Sequence, residues 1–178
     1  MAVWQHRAKQ AMSNKYIPTP SQTIGPFFGF ALPFADGGQA VDPSDPGALR
    51  IEGQLLDAEG ALVSDGLLEL WQEDQFARCP TDAEGAFHAV VRKPAPLPGP
   101  DGRTQAPHLN VTVFARGLLR YLATRLYFPD EDAANSSDPV LERIQPERRQ
   151  TLIAQEDRGL LRFDVRLGGD GETVFFQL

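Results

Sequence analysis

From residue 49 onward, the sequence consists of short runs in which apolar and polar residues alternate, with turn-forming residues between them. In the run 108–114, Leu109, Val111 and Val113 would face one way and the remaining residues the other. A period of two indicates strands that are buried on one face. Turn sequences such as residues 57–60 (DAEG) separate the runs. The pattern therefore predicts an all-β fold with a β-sandwich core.

Seven or eight strands at short spacing follow from this pattern. A helical stretch is predicted over residues 139–144, because Ser136, Ser137 and Asp138 offer an N-cap and Pro139 suits the first helical position. A second helical turn or two is predicted within residues 146–155. The predicted strands cover residues 49–55, 67–71, 86–92, 108–114, 120–128, 160–167 and 173–176.

The segment before the strands, residues 16–48, is rich in Pro and Gly and follows no helical or strand period. Such a segment is usually a disordered tail or a functional arm. Its rings need a surface to pack on, which favours an arm. We expect residues 1–15 to be a disordered N-terminal extension, residues 16–48 to be the arm and residues 49–178 to be the sandwich domain. The rings belong to Phe27, Phe28, Phe30 and Phe34.

Composition excludes several classes of function. The chain has 178 residues, with 17 basic and 24 acidic side chains and a net charge of −7. Its field therefore repels nucleic acid and anionic membranes. No apolar run approaches the roughly 18–20 residues that span a bilayer, and no apolar signal-peptide core follows the charged N-terminus. With Cys79 as the single cysteine, the chain has no internal disulfide and is predicted to be cytoplasmic.

Residue chemistry alone does not give a complete active site. The three histidines, His6, His88 and His108, are far apart in the sequence and form no metal-binding motif. Cys79 has no neighbouring histidine base, so we expect an inert thiol. Nucleophile-elbow and phosphate-loop motifs are also absent from the sequence.

Six short motifs change this picture, and they occur in a characteristic order. Together they resemble the intradiol ring-cleaving dioxygenases, and within that family the α subunits of the protocatechuate 3,4-dioxygenases. The resemblance covers residues 16–178. The motifs are TPSQTIGPFF (19–28), LELWQ (68–72), APHLNV (106–111), FARG (114–117), TRLYF (124–128) and GETVFF (171–176).

The resemblance implies a β-sandwich that forms a heterodimer with a homologous β subunit, assembled into larger oligomers. In that family the β subunit binds a non-haem Fe(III) through two tyrosines and two histidines. The implied reaction is intradiol cleavage of protocatechuate (3,4-dihydroxybenzoate) by O₂ to 3-carboxy-cis,cis-muconate.

The same resemblance implies that this chain has lost the iron ligands. His108 matches the first family histidine, whereas Asn110 replaces the second and Gln105 replaces the arginine of that motif. Leu97 stands where one tyrosine would be. The segment of the other tyrosine is shortened, since Trp71 is followed closely by the turn at residues 81–85. One histidine cannot hold ferric iron, so we expect no metal in this chain.

Two parts of the chain would instead complete the partner's active site. Thr23, Gly25 and Pro26 match the family's N-terminal loop, which reaches the cleft at the heterodimer interface; Phe27 stands where the family often has tyrosine. Arg116 matches an arginine near the substrate carboxylate, a partner that suits a guanidinium.

Two other functions stay open at this point. The chain could be a non-catalytic sandwich module that binds an aromatic acid through Arg116. It could also be an independent metalloenzyme that combines His108 with carboxylates. Ligand binding by the isolated chain would favour the former, and stoichiometric metal in it the latter.

Overall fold

The computed structural model describes residues 19–99 and 101–177, and two sheets packed face to face form its centre, so the predicted β-sandwich is confirmed. Three short α-helices and two 3₁₀ turns (Leu141–Arg143 and Gln150–Leu152) accompany the strands. In chain order the elements are α1 (Phe28–Ala31), β1 (Ala48–Leu56), β2 (Leu67–Gln72), β3 (Gln75–Pro80), β4 (Ala86–Arg92), β5 (Leu97–Pro98), β6 (Thr104–Gln105), β7 (His108–Phe114), β8 (Leu122–Tyr127), α2 (Asp132–Ser136), α3 (Pro146–Arg149), β9 (Gln155–Asp157), β10 (Leu160–Arg162) and β11 (Val165–Arg166).

The first sheet is built around β1. One edge of β1 pairs antiparallel with β4, and the other pairs parallel with β10 and β11, which come from the last part of the chain. β9 continues the sheet beyond β10. Between β10 and β11 the backbone presses on Gly53, where an added Cβ would lie 1.8 Å from the Phe163 carbonyl oxygen. Only glycine permits this approach.

The second sheet is antiparallel in the order β3-β2-β7-β8. Trp71 on β2 pairs with Asn110 on β7, which in turn pairs with Arg125 on β8. These three residues form a row across the sheet on the face that points away from the other sheet. Cross-strand neighbours of this kind lie about 5 Å apart, so their side chains can act on one ligand.

The main core lies between the two sheets. The predicted inward residues of β7, Leu109, Val111 and Val113, are buried and meet side chains of β1 and β4 such as Ile51 and Val91. A smaller apolar cluster lies under the helical segment that follows β8. It is formed by Ala106, Tyr127, Leu141 and Leu152, with Ile144, Val174 and Phe176 packed on it.

Several predicted elements are wrong in extent. The strand predicted over 160–167 is split into β10 and β11, because the chain bends past Gly53. Residues 173–176 form only an isolated bridge from Phe176 to Ala123. The helical stretch over 139–144 shrinks to the 3₁₀ turn Leu141–Arg143, and the stretch after residue 146 ends at Leu152, before β9.

Other elements were missed. Strand β3 pairs with β2 through a tight turn at Glu73 and Asp74, with Glu73 at φ 53°. Its Arg78-Cys79-Pro80 end breaks the apolar alternation, which is why the sequence pattern did not reveal it. The short β5–β6 hairpin and α2 also carry no strong periodic signal.

The described part of the arm runs along the sandwich and does not extend into solvent as a tail. Its Gly38 and Ala40 exchange backbone hydrogen bonds with Val90 of β4, while the Gly37 carbonyl accepts from the Arg78 amide of β3. The arm thereby joins an edge of each sheet. Among the described residues, no helix is long and apolar enough to cross a membrane.

Candidate functional site

Strand β7 carries the site residues predicted from sequence toward both of its ends. His108 and Asn110 lie at its start, and Arg116 follows its last residue, Phe114. A strand of seven residues spans about 20 Å, so the lost metal position and the predicted substrate arginine are separate places.

The imidazole of His108 is buried, and both of its ring nitrogens form hydrogen bonds. Its Nδ1–H donates to the Ala106 carbonyl oxygen at 2.7 Å, so in the neutral ring Nε2 is the acceptor. The Gln72 side-chain amide lies 3.2 Å from that Nε2 and donates to it. Burial lowers the pKa of His108 to about 4, so the ring is neutral near pH 7.

The surrounding donors do not fit a ferric ion. The only lone pair that His108 could offer already accepts the Gln72 amide. Asn110 presents an amide, which donates to Gln72 Oε1 at 3.4 Å, and Leu97 presents hydrocarbon. Among residues 19–99 and 101–177, no group of three His, Cys, Asp or Glu side chains is arranged to hold a metal. The residues at these positions therefore offer no free imidazole or anionic ligand for a ferric ion.

Tyr127, whose ring lies 5.4 Å from that of His108, is not a substitute ligand. Its hydroxyl donates to Asp138 Oδ1 at 3.2 Å and accepts from Arg125 Nη1 at 3.2 Å. Burial raises the pKa of Tyr127 above its usual value, so the phenol keeps its proton. A metal-bound phenolate would require both of these bonds to be lost.

Asp138 is the residue that organises this corner, and its buried role was not predicted. Its carboxylate is fully buried and accepts four hydrogen bonds. The sequence predicted Asp138 only as part of a helix N-cap. Its carboxylate does accept hydrogen bonds from backbone amides at the start of the 3₁₀ turn. The donors are the backbone amides of Ala106, Val140 and Leu141 and the hydroxyl of Tyr127.

Arg125 was also missed, although a charge at an alternating position of the motif TRLYF was a usable signal. Its Nη1 donates to Gln105 Oε1 at 2.8 Å. Gln105 occupies the position at which the family motif has arginine. Arg125 on β8 thus places a guanidinium beside Gln105, and this corner carries a positive charge.

A cavity of about 620 Å³ opens on the outer face of the second sheet, above the row Trp71, Asn110 and Arg125. Its walls come from the 3₁₀ turn after Asp138 and from the C-terminal segment. Arg143 and Phe176 contribute to these walls, and the lining has no carboxylate among the described residues.

At the other end of β7, the arm and the loop after β7 lie side by side. The Ile24 amide donates to the Leu118 carbonyl oxygen at 2.8 Å, and the Phe28 ring packs on that of Phe114 at 5.9 Å. Gly25 adopts φ 67°, a conformation that side chains disfavour. These contacts bring the predicted residues of the arm, Thr23, Gly25, Pro26 and Phe27, next to the loop that carries Arg116.

This end of the strand is open. Arg116 Nε lies 3.0 Å from Asp65 Oδ2, in a pair whose side chains are 69% and 40% exposed, so the pair contributes little to stability. Phe27 is 75% exposed, Phe30 82% and Leu119 61%. Apolar groups exposed together on one side of a protein indicate a contact surface.

The remaining nucleophile candidate is inactive. Cys79 is buried, and burial raises the pKa of its thiol to about 12, which leaves no reactive thiolate near pH 7. His88 lies exposed on β4, apart from both ends of β7. His6 lies outside the described residues.

Two curated proteins with the same description align with nearly the whole chain. The protocatechuate 3,4-dioxygenase alpha chain of Burkholderia cepacia is 37% identical over 195 residues, covering 90% of this chain and 97% of the relative. That of Pseudomonas putida is 39% identical over 193 residues, covering 89% and 95%. This chain belongs to the protocatechuate 3,4-dioxygenase alpha-chain family. The resemblance inferred from the six motifs is confirmed.

The family is heteromeric, and its two kinds of chain are related. The protocatechuate 3,4-dioxygenase beta chain of Burkholderia cepacia is 27% identical over 195 residues, covering 95% of this chain and 77% of the relative. The alpha-chain family thus consists of subunits of an intradiol ring-cleaving dioxygenase, and the prediction of such an enzyme is confirmed. A comparison with protein-family models gives no match.

Solved structures agree on the fold. The dioxygenase domain of a carbohydrate-binding fusion protein from Streptomyces sp. SirexAA-E superposes with a TM-score of 0.60 at 25% identity, over 86% of this chain and 99% of that one. Hydroxyquinol 1,2-dioxygenase of Pseudomonas putida DLL-E4 gives 0.55 at 18% identity, over 73% and 58%. At that identity the likeness shows the intradiol dioxygenase fold.

Proposed function

We propose that this chain is the iron-free subunit of an α/β protocatechuate 3,4-dioxygenase and completes the active site of its β-type partner. The enzyme would convert protocatechuate and O₂ to 3-carboxy-cis,cis-muconate. The observation that carries the proposal is the contrast along β7. At the start of β7, the imidazole of His108 is hydrogen-bonded to the Gln72 amide and to the Ala106 carbonyl. Beyond the end of β7, the arm and Arg116 are exposed together.

The partner's iron would supply the redox chemistry that joins both oxygen atoms to the ring. This chain would supply recognition. Among the described residues, the Arg116 side chain is paired with Asp65 alone, in an exposed ion pair, so its guanidinium can turn to the carboxylate of the substrate. A charge-assisted hydrogen bond of this kind orients the ring and raises substrate affinity without taking part in bond breaking.

The arm would form one wall of the shared cleft. Thr23 offers an exposed hydroxyl, and Gly25 lets the backbone approach a ligand closely in its left-handed conformation. Pro26 stiffens the chain just before α1. Because Ile24 is bonded to the Leu118 carbonyl, the arm and the Arg116 loop would dock as one unit.

The partner would also cover the apolar surface of this end. Phe27 and Phe30 project from the arm, and Leu119 and Tyr121 from the loop after β7, all of them at least 46% exposed. Exposed aromatic residues are typical anchors of protein interfaces. We accordingly propose that the arm, residues 16–48, contributes to the heterodimer interface, in assemblies that contain several heterodimers.

The first experiment is expression of this chain with and without a β-type partner, followed by purification through a tag on this chain. We expect a colourless, iron-free chain alone. The complex should be coloured, carry one iron per α/β pair and consume O₂ with protocatechuate. Iron content, the visible spectrum and an oxygen electrode give the three readouts.

Two results would contradict the proposal in different ways. Stoichiometric iron and colour in the chain alone would show that His108 belongs to a functional metal centre. A stable monomer that never retains the β-type partner would remove the role in completing its active site, and would favour a separate aromatic-acid-binding module.

A further inference from the structure

We propose that the cavity above Trp71, Asn110 and Arg125 is a second, non-catalytic binding site for an aromatic monocarboxylate. The inference concerns this chain alone and does not rest on the proposed function. The proposed site is also separate from the carboxylate-binding position expected at Arg116, because Arg116 lies just beyond the other end of β7.

The charges around the cavity suit a monoanion. Arg125 and Arg143 both line it, and no carboxylate does so among the described residues. The nearby carboxylate of Asp138 is fully buried, and protein donors already occupy its oxygens. Two guanidinium groups and this one carboxylate leave a single positive charge. In a chain with a net charge of −7, such a local excess of positive charge indicates an anion site.

The donors needed to bind a carboxylate are available. Arg125 Nη1 is held by Gln105 Oε1 and the Tyr127 hydroxyl, which fixes the guanidinium in place. Within the described part of the chain, neither its Nε nor its Nη2 has a hydrogen-bond partner, and the Arg143 side chain has none at all. An Arg edge with two parallel N–H groups matches the geometry of a carboxylate.

The rest of the lining suits an aromatic ring. Trp71 and Phe176 contribute aromatic surface, and the Phe176 ring also lies 5.9 Å from the Arg125 guanidinium. Small residues on the sheet, Thr112 and Ala123, leave space between them. The volume of about 620 Å³ lies within the range of small-molecule sites, and the lining is largely apolar with a few polar groups.

A fluorinated benzoate tests the proposal directly. 4-Fluorobenzoate has no catechol, so it cannot chelate a metal through two ring oxygens as the substrate does. Fluorine NMR titration of the purified full chain should show saturable binding with a Kd of about 0.1–1 mM, as expected for one ion-paired ring in a half-open pocket. The neutral isostere 4-fluorobenzamide should bind at least about tenfold more weakly.

Three substitutions test whether 4-fluorobenzoate binds in this cavity. Arg143→Gln, at an exposed position whose side chain forms no hydrogen bond or ion pair among the described residues, should weaken binding about tenfold without changing the melting temperature. Arg158→Gln removes the same charge from the exposed β9–β10 turn and should leave the Kd unchanged. Arg125→Gln should abolish binding, with a folding check because Arg125 contacts the buried Tyr127.

Three outcomes would overturn the inference. The first is a folded chain that shows no saturable binding, and the second is 4-fluorobenzamide that binds as well as the acid. The third is an unchanged Kd in Arg143→Gln together with a raised Kd in Arg116→Ala, which would assign the acid to the other end of β7.

Discussion

The two ends of β7 differ in how their polar groups are satisfied. Around His108, the protein provides partners internally: Gln72 and Ala106 bond the imidazole, and Asp138 accepts four donors. Around Arg116, one exposed ion pair is formed, and several rings face solvent. The imidazole of His108 and the carboxylate of Asp138 are therefore satisfied within the chain, whereas the groups around Arg116 are left facing solvent.

The largest expected effect is a loss of stability on substitution of Asp138, at the His108 end of β7. Asp138→Ala would leave three backbone amides and the Tyr127 hydroxyl without an acceptor in a buried place. We expect the free energy of unfolding to fall by about 4 kcal/mol, as for other buried charges that lose their network. Urea denaturation measures it, with Asp157→Ala on exposed β9 as the control. A loss below about 1 kcal/mol would mean that this corner does not depend on its carboxylate.

The same end should make stability depend on pH. The pKa of His108 falls from 6.5 to about 4 on folding, so the unfolded chain takes up a proton first as the pH decreases. Stability is therefore complete above pH 6.5 and is lost toward pH 4, by at most about 3 kcal/mol. His108→Gln should flatten this part of the curve of unfolding free energy against pH. The control is His88→Gln, and an unchanged slope in the His108 variant would refute the assignment.

Substitutions near Arg116, at the other end of β7, should instead change the affinity for a β-type partner. Phe27→Ala removes a ring that is 75% exposed in this chain, so its own stability should stay within about 0.5 kcal/mol. Association with a β-type partner should weaken by about 2 kcal/mol, as for an aromatic interface anchor. Phe27→Tyr keeps the ring and should retain affinity. Surface plasmon resonance gives the Kd; equal affinities of the Ala and Tyr variants would exclude the arm tip from the interface.

The smallest expected effect concerns Arg116. In the complex, Arg116→Ala should raise the KM for protocatechuate about tenfold and leave kcat within about twofold, because in the proposed role the guanidinium would orient the substrate without acting on the breaking bond. Arg116→Lys should recover part of the affinity, and Arg158→Ala should match the unmodified enzyme. A fall in kcat without a change in KM would place Arg116 in the chemistry and not in recognition.

The sequence predicts the fold well wherever alternation is regular. β4 and β7 begin and end at the predicted residues, and β1 and β2 agree to within one residue. The prediction fails where contacts between distant parts of the chain determine where a strand begins or ends. β10 and β11 are separated because the backbone at Phe163 approaches Gly53, a contact between distant parts of the chain.

The site shows the same division. Family motifs identify His108, Asn110, Leu97 and Arg116 by position. They do not show that Gln72 caps the imidazole from another strand, because that contact joins residues that are 36 apart in the chain. The cavity is equally hidden from sequence reasoning, since its walls come from three separate segments.

The pairing of β1 has a consequence for biosynthesis. Its second edge is completed by β10 and β11, and Gln54 bonds to Asp164, 110 residues later. Contacts this distant form late in folding, since the loop must close before they can stabilise the chain. While the ribosome is still translating the last strands, β1 has one unpaired edge, and the first sheet cannot be finished. The first sheet is therefore complete only once residues 160–166 have paired with β1, and any assembly that requires the finished sandwich must follow that step.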